Sequence, residues 1–197
     1  MTRTYAQASR ELLRNSLLDG LRGLLLERDW SAVRMSDVAA ASGVSRQTVY
    51  NEFGSRYGLA QAYAQRLAAH LAAIVGTALD GHPNDVLGAL HDGFAEFFTD
   101  VALDPMIASL LAGDANPDLL RLITTDAAPL ITTAAEILHG ALADSAWLSM
   151  SDDDAERIAR TLTRMALSYV AMPPEGDRNV AADMAAVMGP AIEAARV

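Results

Sequence analysis

Leucines at positions 13, 17, 21, 24 and 25 recur at intervals of three and four residues and form one apolar stripe. That spacing is the period of an amphipathic α-helix, and it predicts a first helix over about residues 5–28. The helix should stop near Asp29, a residue type that tolerates left-handed backbone better than most non-glycines. Two short helices are expected at about 35–42 and 46–53, with Gly43 between them. A fourth begins after Ser55, whose hydroxyl can cap it, and continues to about residue 76. Beyond Gly81-His82-Pro83-Asn84 the helical period returns at about 85–99, 105–112, 117–140, 152–171 and 178–195. Asp114-Ala115-Asn116-Pro117 and Pro173-Pro174-Glu175-Gly176 interrupt it. Pro129 should kink or split its segment, because it has no N–H for the preceding turn. Alternating Val/Ile/Thr runs are absent, and good helix formers dominate. The expected fold is therefore all-α with about nine to ten helices. A three-helix head occupies residues 1–56 and a helical bundle residues 57–197.

The 197 residues are 51% hydrophobic and 20% charged, the balance of a folded globular chain. There is no cysteine, so disulfides, thiolate zinc sites and cysteine nucleophiles are excluded. The N-terminal stretch carries Arg3, Arg10 and Arg14 without a continuous apolar run, unlike a signal peptide. The apolar stretch at 67–79 contains His70 and Gly76 and is too short to span a bilayer. A cytoplasmic protein without membrane contact is expected.

The net charge of -10 argues against nucleic-acid binding only until it is divided along the chain. Residues 1–57 hold eight arginines and six acids, whereas the remainder holds seven arginines and nineteen acids. The head is thus mildly basic and the body strongly acidic. Such a chain can present a local positive face to phosphates.

Candidate chemistry concentrates in Met35–Arg56, MSDVAAASGVSRQTVYNEFGSR. Val38, Ala39 and Ala41 supply the inner side of one short helix. Gly43 permits a tight turn, and Val44 plugs the gap between the two helices. Ser45 is a good N-cap, which places Arg46, Gln47 and Thr48 in the first turn of the second helix. That geometry aims polar and guanidinium side chains, with the positive end of a helix dipole, at a groove and its phosphates. Val49 and Phe53 face the core. Tyr50 and Asn51 then lie outside, where a phenol and an amide can reach phosphate or base edges.

In this stretch the sequence resembles the tetracycline-repressor (TetR) family of bacterial regulators. The matching residues are Trp30, Asp37-Val38-Ala39, Gly43-Val44-Ser45, Thr48-Val49-Tyr50, Phe53, Ser55-Arg56 and Leu59, within about residues 8–65. The resemblance implies that Ser36 touches base or backbone and that Arg46, Gln47 and Asn51 face the major groove. Thr48, Tyr50 and Arg56 would bind phosphate. Four departures stand out: Asp29 for a usual glycine, Arg34 for a common threonine, Glu52 for a frequent histidine, and Tyr57-Gly58 for an acidic and a small residue. Glu52 places an acid near the phosphates.

The resemblance further implies a ligand cavity in the C-terminal bundle and a homodimer built from the last two helices. Candidate wall residues are Phe94, Phe97, Phe98, Met106, Leu110, Leu111, Ile137, Trp147, Met165 and Tyr169, and eight methionines would make a lining deformable. So few charges on such a wall point to an apolar effector, such as a fatty-acyl chain, a lipid-like molecule or a hydrophobic drug. His91 and His139 are candidates to orient it, or are ordinary core or surface histidines. The run Ser151-Asp152-Asp153-Asp154 suggests a metal site, but adjacent acids do not share a helix face, so a helix cap is expected. Ile158, Leu162, Met165 and Tyr169 form a stripe suited to burial. In the last helix Ala181, Ala182, Met184, Ala185, Ala186 and Met188 suit a dimer seam. The expected function is a ligand-responsive repressor bound to double-stranded operator DNA, without metal or other cofactor. Two other readings stay open: a helical small-molecule enzyme, for which no catalytic motif is visible, and a protein-interaction module.

Overall fold

The computed structural model describes residues 5–112, 117–173, 176 and 178–196. Among these, the regular structure is ten α-helices and one short 310 helix, Trp30–Ala32, and the only β feature is an isolated bridge between Met150 and Arg196. The helices are α1 (Tyr5–Glu27), α2 (Met35–Ala41), α3 (Arg46–Phe53), α4 (Arg56–Gly81) and α5 (Val86–Leu103). They continue as α6 (Pro105–Leu111), α7 (Pro117–Ile123), α8 (Ala128–Ala143), α9 (Asp152–Ala171) and α10 (Val180–Ala194). The breakers expected at 114–116 and 174–175 lie outside the described residues.

The chain packs as two compact units, residues 1–64 with 105–120 and residues 65–104 with 121–197. A division between residues 56 and 57 falls inside the first turn of α4, and the first unit also takes in α6. Hydrophobic period locates a helix but not the point at which it changes neighbours.

In the first unit, α1 buries Leu17, Leu18, Leu21 and Leu25. Each contributes about 1.5–3 kcal/mol of apolar burial. Met35, Val38 and Ala39 are the buried side of α2, while Ala41, expected among them, is exposed. Gly43 turns the chain between α2 and α3 with a φ of 66°, backbone that costs a side-chain-bearing residue about 1 kcal/mol or more. Asp29 is extended, with φ −64° and ψ 154°, and it precedes the 310 turn that buries Trp30. A left-handed stop was therefore not needed: the turn supplies the change of direction. The Asp37 carboxylate accepts from the Arg34 backbone N–H at 3.0 Å, closing the start of α2.

In the second unit, α5 packs on α10 and α8 on α9. Helix α4 runs through Gly76 to Gly81, longer than its sequence pattern indicates. A Cβ at Gly76 would sit 3.0 Å from the Ala141 side chain of α8, so its absence admits close helix approach. Pro129 splits the segment expected at 117–140 into α7 and α8, standing in the first turn of α8 where its missing N–H costs nothing. Caps are made by Asp85 to Gly88 N (2.9 Å), Ser151 to Asp154 N (3.1 Å) and Asn179 to Ala182 N (3.0 Å). The aspartate run at 152–154 thus opens a capped helix. On α9 the buried stripe is Ala155, Ile158, Ala159, Leu162, Ala166 and Val170, with Met165 and Tyr169 half-buried at its edge.

Candidate nucleic-acid interface

Eight residues of α3 form four rows, each pairing a residue with the one four positions on, about 100° apart around the axis for successive positions. Val49 and Phe53 form the row turned inward; both are buried. On the far side Gln47 and Asn51 are exposed, and Gln47 Nε2 donates to Asn51 Oδ1 at 2.8 Å. One flank carries Arg46 and Tyr50. There a guanidinium N–H donates to the phenol oxygen at 3.2 Å, and the guanidinium lies 5.2 Å from the ring centre. Thr48 and Glu52 make the other flank.

Helix α3 begins with a built cap. Ser45 Oγ accepts from Thr48 N at 3.1 Å, and the two hydroxyl oxygens stand 2.9 Å apart. The cap satisfies one of the orphan donors of the first turn, and the dipole leaves positive potential at this end. Ser36, in the first turn of α2, is exposed. The structure therefore brings Ser45, Arg46, Gln47, Thr48, Tyr50 and Asn51 onto one short helix start and its outer face.

Arg56 is placed differently from the phosphate role implied above. Its Nε donates to Val33 O at 3.0 Å, one terminal N–H donates to Trp30 O, and the guanidinium lies 4.0 Å from the centre of the Trp30 ring. Burial lowers its pKa from the ordinary arginine value, and the Asp118 charge opposes that shift. Arg56 ties the start of α4 to the 310 turn. The reason is local: the Trp30 carbonyl, which already accepts from Val33 N–H at 3.1 Å, and the Val33 carbonyl just past the turn both face the start of α4, and a forked cation reaches both.

Two further residues escaped the sequence reading. Arg10 Nε and Arg14 Nη1 of α1 bind the two carboxylate oxygens of Glu52 at 3.0 and 2.9 Å, leaving the Glu52 side chain only 7% exposed. A cleft of about 390 Å³ opens there, lined by Gln7, Arg10, Glu11, Arg14 and Glu52. An acid on a helix expected to face phosphates was the available signal for a cation nearby.

Residues 17–63 match the model for bacterial regulatory proteins of the tetR family, and residues 85–190 match the bacterial tetracyclin repressor C-terminal domain. The HTH-type transcriptional regulator AlkX of Mycobacterium tuberculosis (strain ATCC 25618 / H37Rv) is 54% identical over 189 residues, covering 96% of this chain and 89% of that protein. The chain belongs to the TetR family. The crystal structure of the TetR family repressor AlkX from Dietzia sp. strain DQ12-45-1b superposes with a TM-score of 0.86 at 41% identity, covering 92% of this chain and 96% of that one. A tetR-family regulator from Streptomyces coelicolor, at 20% identity and a TM-score of 0.55, shares the fold.

This TetR chain is a DNA-binding transcriptional regulator, not an enzyme. Regulators of the family bind operator DNA and typically dimerise. Among the described residues no helix is long and apolar enough to cross a membrane.

The residues expected to line an effector cavity are divided between the two compact units. Met106 and Leu110 are buried in the first, beside the exposed Leu111. In the second, Phe94, Phe97, Phe98 and Tyr169 form an aromatic cluster. Phe97 meets Phe98 edge-on at 4.8 Å, and Phe98 meets Tyr169 edge-on at 6.1 Å. Ile137 and Met165 are half-buried. Trp147 is a clasp: its indole N–H donates to Leu79 O at 3.0 Å, and the Arg196 guanidinium lies 5.6 Å from the centre of its ring. His91 and His139 each meet an aspartate instead, Asp92 at 2.8 Å and Asp152 at 2.7 Å. On α10, Ala181, Met184, Ala185 and Met188 are buried within the protomer, because α5 packs there. Its outer face carries Ala186, Val187, Pro190 and Ala191, with Ala182 half-buried.

Proposed function

We propose that the protein is a homodimeric repressor whose α3 helices enter successive major grooves of an operator, about 34–36 Å apart. The observation that carries this reading is the sorting of α3, with Val49 and Phe53 inside and Gln47 and Asn51 exposed on the opposite row. In the groove, Arg46, Gln47 and Asn51 meet base edges, while Ser45, Thr48 and Tyr50 hold phosphates and Ser36 touches the adjoining base or backbone. Arg56 is left out of this set because its guanidinium is spent on Val33 and Trp30. The dimer forms through α9 and α10, to which the outward row Ala186, Val187, Pro190 and Ala191 offers a close-fitting surface.

The released state is reached when a small apolar effector binds the second unit and favours heads that no longer match the groove spacing. That shift is bounded by the effector's differential affinity for the two states. The Dietzia repressor is described as implicated in biodegradation of n-alkanes, and it shares 41% of its residues with this chain. The effector is accordingly a long-chain hydrocarbon derivative, such as a fatty-acyl molecule, and the regulated genes serve hydrocarbon oxidation. A gel shift with the DNA upstream of the protein's own gene tests both halves. Retardation that is lost in the Gln47→Ala/Asn51→Ala variant, and relieved by micromolar fatty acyl chain but not by a short-chain acid, is expected. Retardation unaffected by the double variant would refute the α3 assignment, and retardation unaffected by any acyl chain would refute the effector class.

A further inference from the structure

We infer that Glu52 is a positioning residue, which recruits Arg10 and Arg14 of α1 to supply the phosphate-facing cations on one flank of the DNA-reading helix. The inference rests on the α3 reading above. A helix about 10–12 Å across fills a major groove about 12 Å wide. With Gln47 and Asn51 pointing to the groove floor, the rows about 100° to either side face the two sugar-phosphate walls. On the Arg46/Tyr50 flank α3 carries its own guanidinium, whose charge offsets that wall while its N–H groups reach a base edge and Tyr50 holds the phosphate. On the Thr48/Glu52 flank α3 offers only a hydroxyl and a carboxylate, a sign of charge that repels phosphate.

The structure resolves that conflict with residues from another helix. Arg10 and Arg14, four apart and so on one face of α1, converge on Glu52, one on each oxygen. The carboxylate is covered, at 7% side-chain exposure, while Arg10 remains 70% exposed beside the open cleft. Arg14 is braced further by the Phe53 ring, 5.1 Å away. Two cations against one acid leave the trio with net positive charge. Glu11 on the cleft rim brings the formal charge of the cleft to zero, so the flank acts through the exposed Arg10 guanidinium rather than through net charge. Both flanks of α3 thus present guanidinium groups, one from its own sequence and one borrowed through Glu52.

The clamp makes a prediction opposite in sign to simple charge repulsion. Removing an acid next to DNA should tighten binding if the acid only repels; here it should loosen it. The test measures binding of the full chain to a 30-base-pair mixed-sequence duplex by fluorescence anisotropy between 50 and 200 mM salt, since phosphate contacts do not require the operator. Arg10→Gln, at a position 70% exposed and outside the apolar core, should reduce the slope of log affinity against log salt by about 0.9 per engaged head. Glu52→Gln should weaken binding several-fold and lower the slope. Glu52→Asp, which keeps the charge, should restore part of both. Tighter binding by Glu52→Gln, or a slope unchanged in Arg10→Gln, overturns the clamp. The Gln47→Ala/Asn51→Ala variant separates this from the parent reading, because its sequence preference should fail while its salt slope stays.

Discussion

Replacing Arg56 with methionine distinguishes a structural arginine from a DNA-contacting one. Methionine keeps the packing over Trp30 but leaves the Trp30 and Val33 carbonyls without their charged donor. Hydrogen bonds to charged groups contribute about 1.5–3 kcal/mol each, and a guanidinium over a tryptophan face about 0.5–2 kcal/mol. These contributions overlap, and Arg56 is partly solvated, so the combined loss should be about 2–4 kcal/mol. For a chain of this length, at about 2–4 °C per kcal/mol, that lowers Tm by roughly 4–16 °C. Circular dichroism at 222 nm during heating reads the melt, and anisotropy with duplex DNA at 15 °C reads binding by the still-folded variant. The expected result is a lower Tm with affinity and salt slope unchanged. An unchanged Tm with affinity lost and slope reduced would show that the guanidinium reaches phosphate and that the inward placement is mistaken.

Three other outcomes follow from single contacts. Ser45→Ala removes the α3 cap and should cost about 1 kcal/mol in urea unfolding, whereas Ser45→Asp should recover most of it. Phe94→Ala, at a fully buried ring packed against Phe97 and Phe98, should cost about 3–5 kcal/mol in the same measurement. His82 Nδ1 meets the Ala78 carbonyl at 2.9 Å and Nε2 meets the Asp92 carboxylate at 3.0 Å; both partners are acceptors, so the two bonds form together only on the protonated ring. The Ala78 carbonyl raises its pKa most, burial opposes this, and Asp92 and Asp85 add to the rise. The contact therefore stabilises the α4–α5 corner fully below the ordinary histidine value of about 6.5 and is lost as pH climbs through the raised value. The Tm difference between wild type and His82→Gln should shrink from pH 6 to pH 8.5, and a constant difference would contradict this.

The helices were legible because their apolar residues keep one period over many turns; residues 46–53 and 152–171 coincide with α3 and α9. Local backbone chemistry was legible too: Pro129 opens α8, and Ser45 and Ser151 cap their helices. What was not legible depends on partners far away in sequence. The 310 turn at Trp30 is three residues long and has no period to detect. Arg56 reads as a phosphate ligand until Val33 and Trp30 are seen beneath it. Glu52 lies 42 and 38 positions from the arginines that cover it. Ala181, Met184, Ala185 and Met188 were visible as an apolar small-residue face, but the pattern could not say that α5 of the same chain covers it. Periodicity reports which side of a helix is covered; it carries no record of what covers it.

Selection of bound duplexes from a randomised pool, followed by sequencing, addresses the outer row of α3 directly. The wild-type chain should recover a twofold-symmetric pair of half-sites centred about ten base pairs apart. Gln47→Ala/Asn51→Ala should lose the base preference within each half-site yet keep salt-dependent binding to unselected DNA. Recovery of the same consensus by both proteins would mean that some other surface reads the operator.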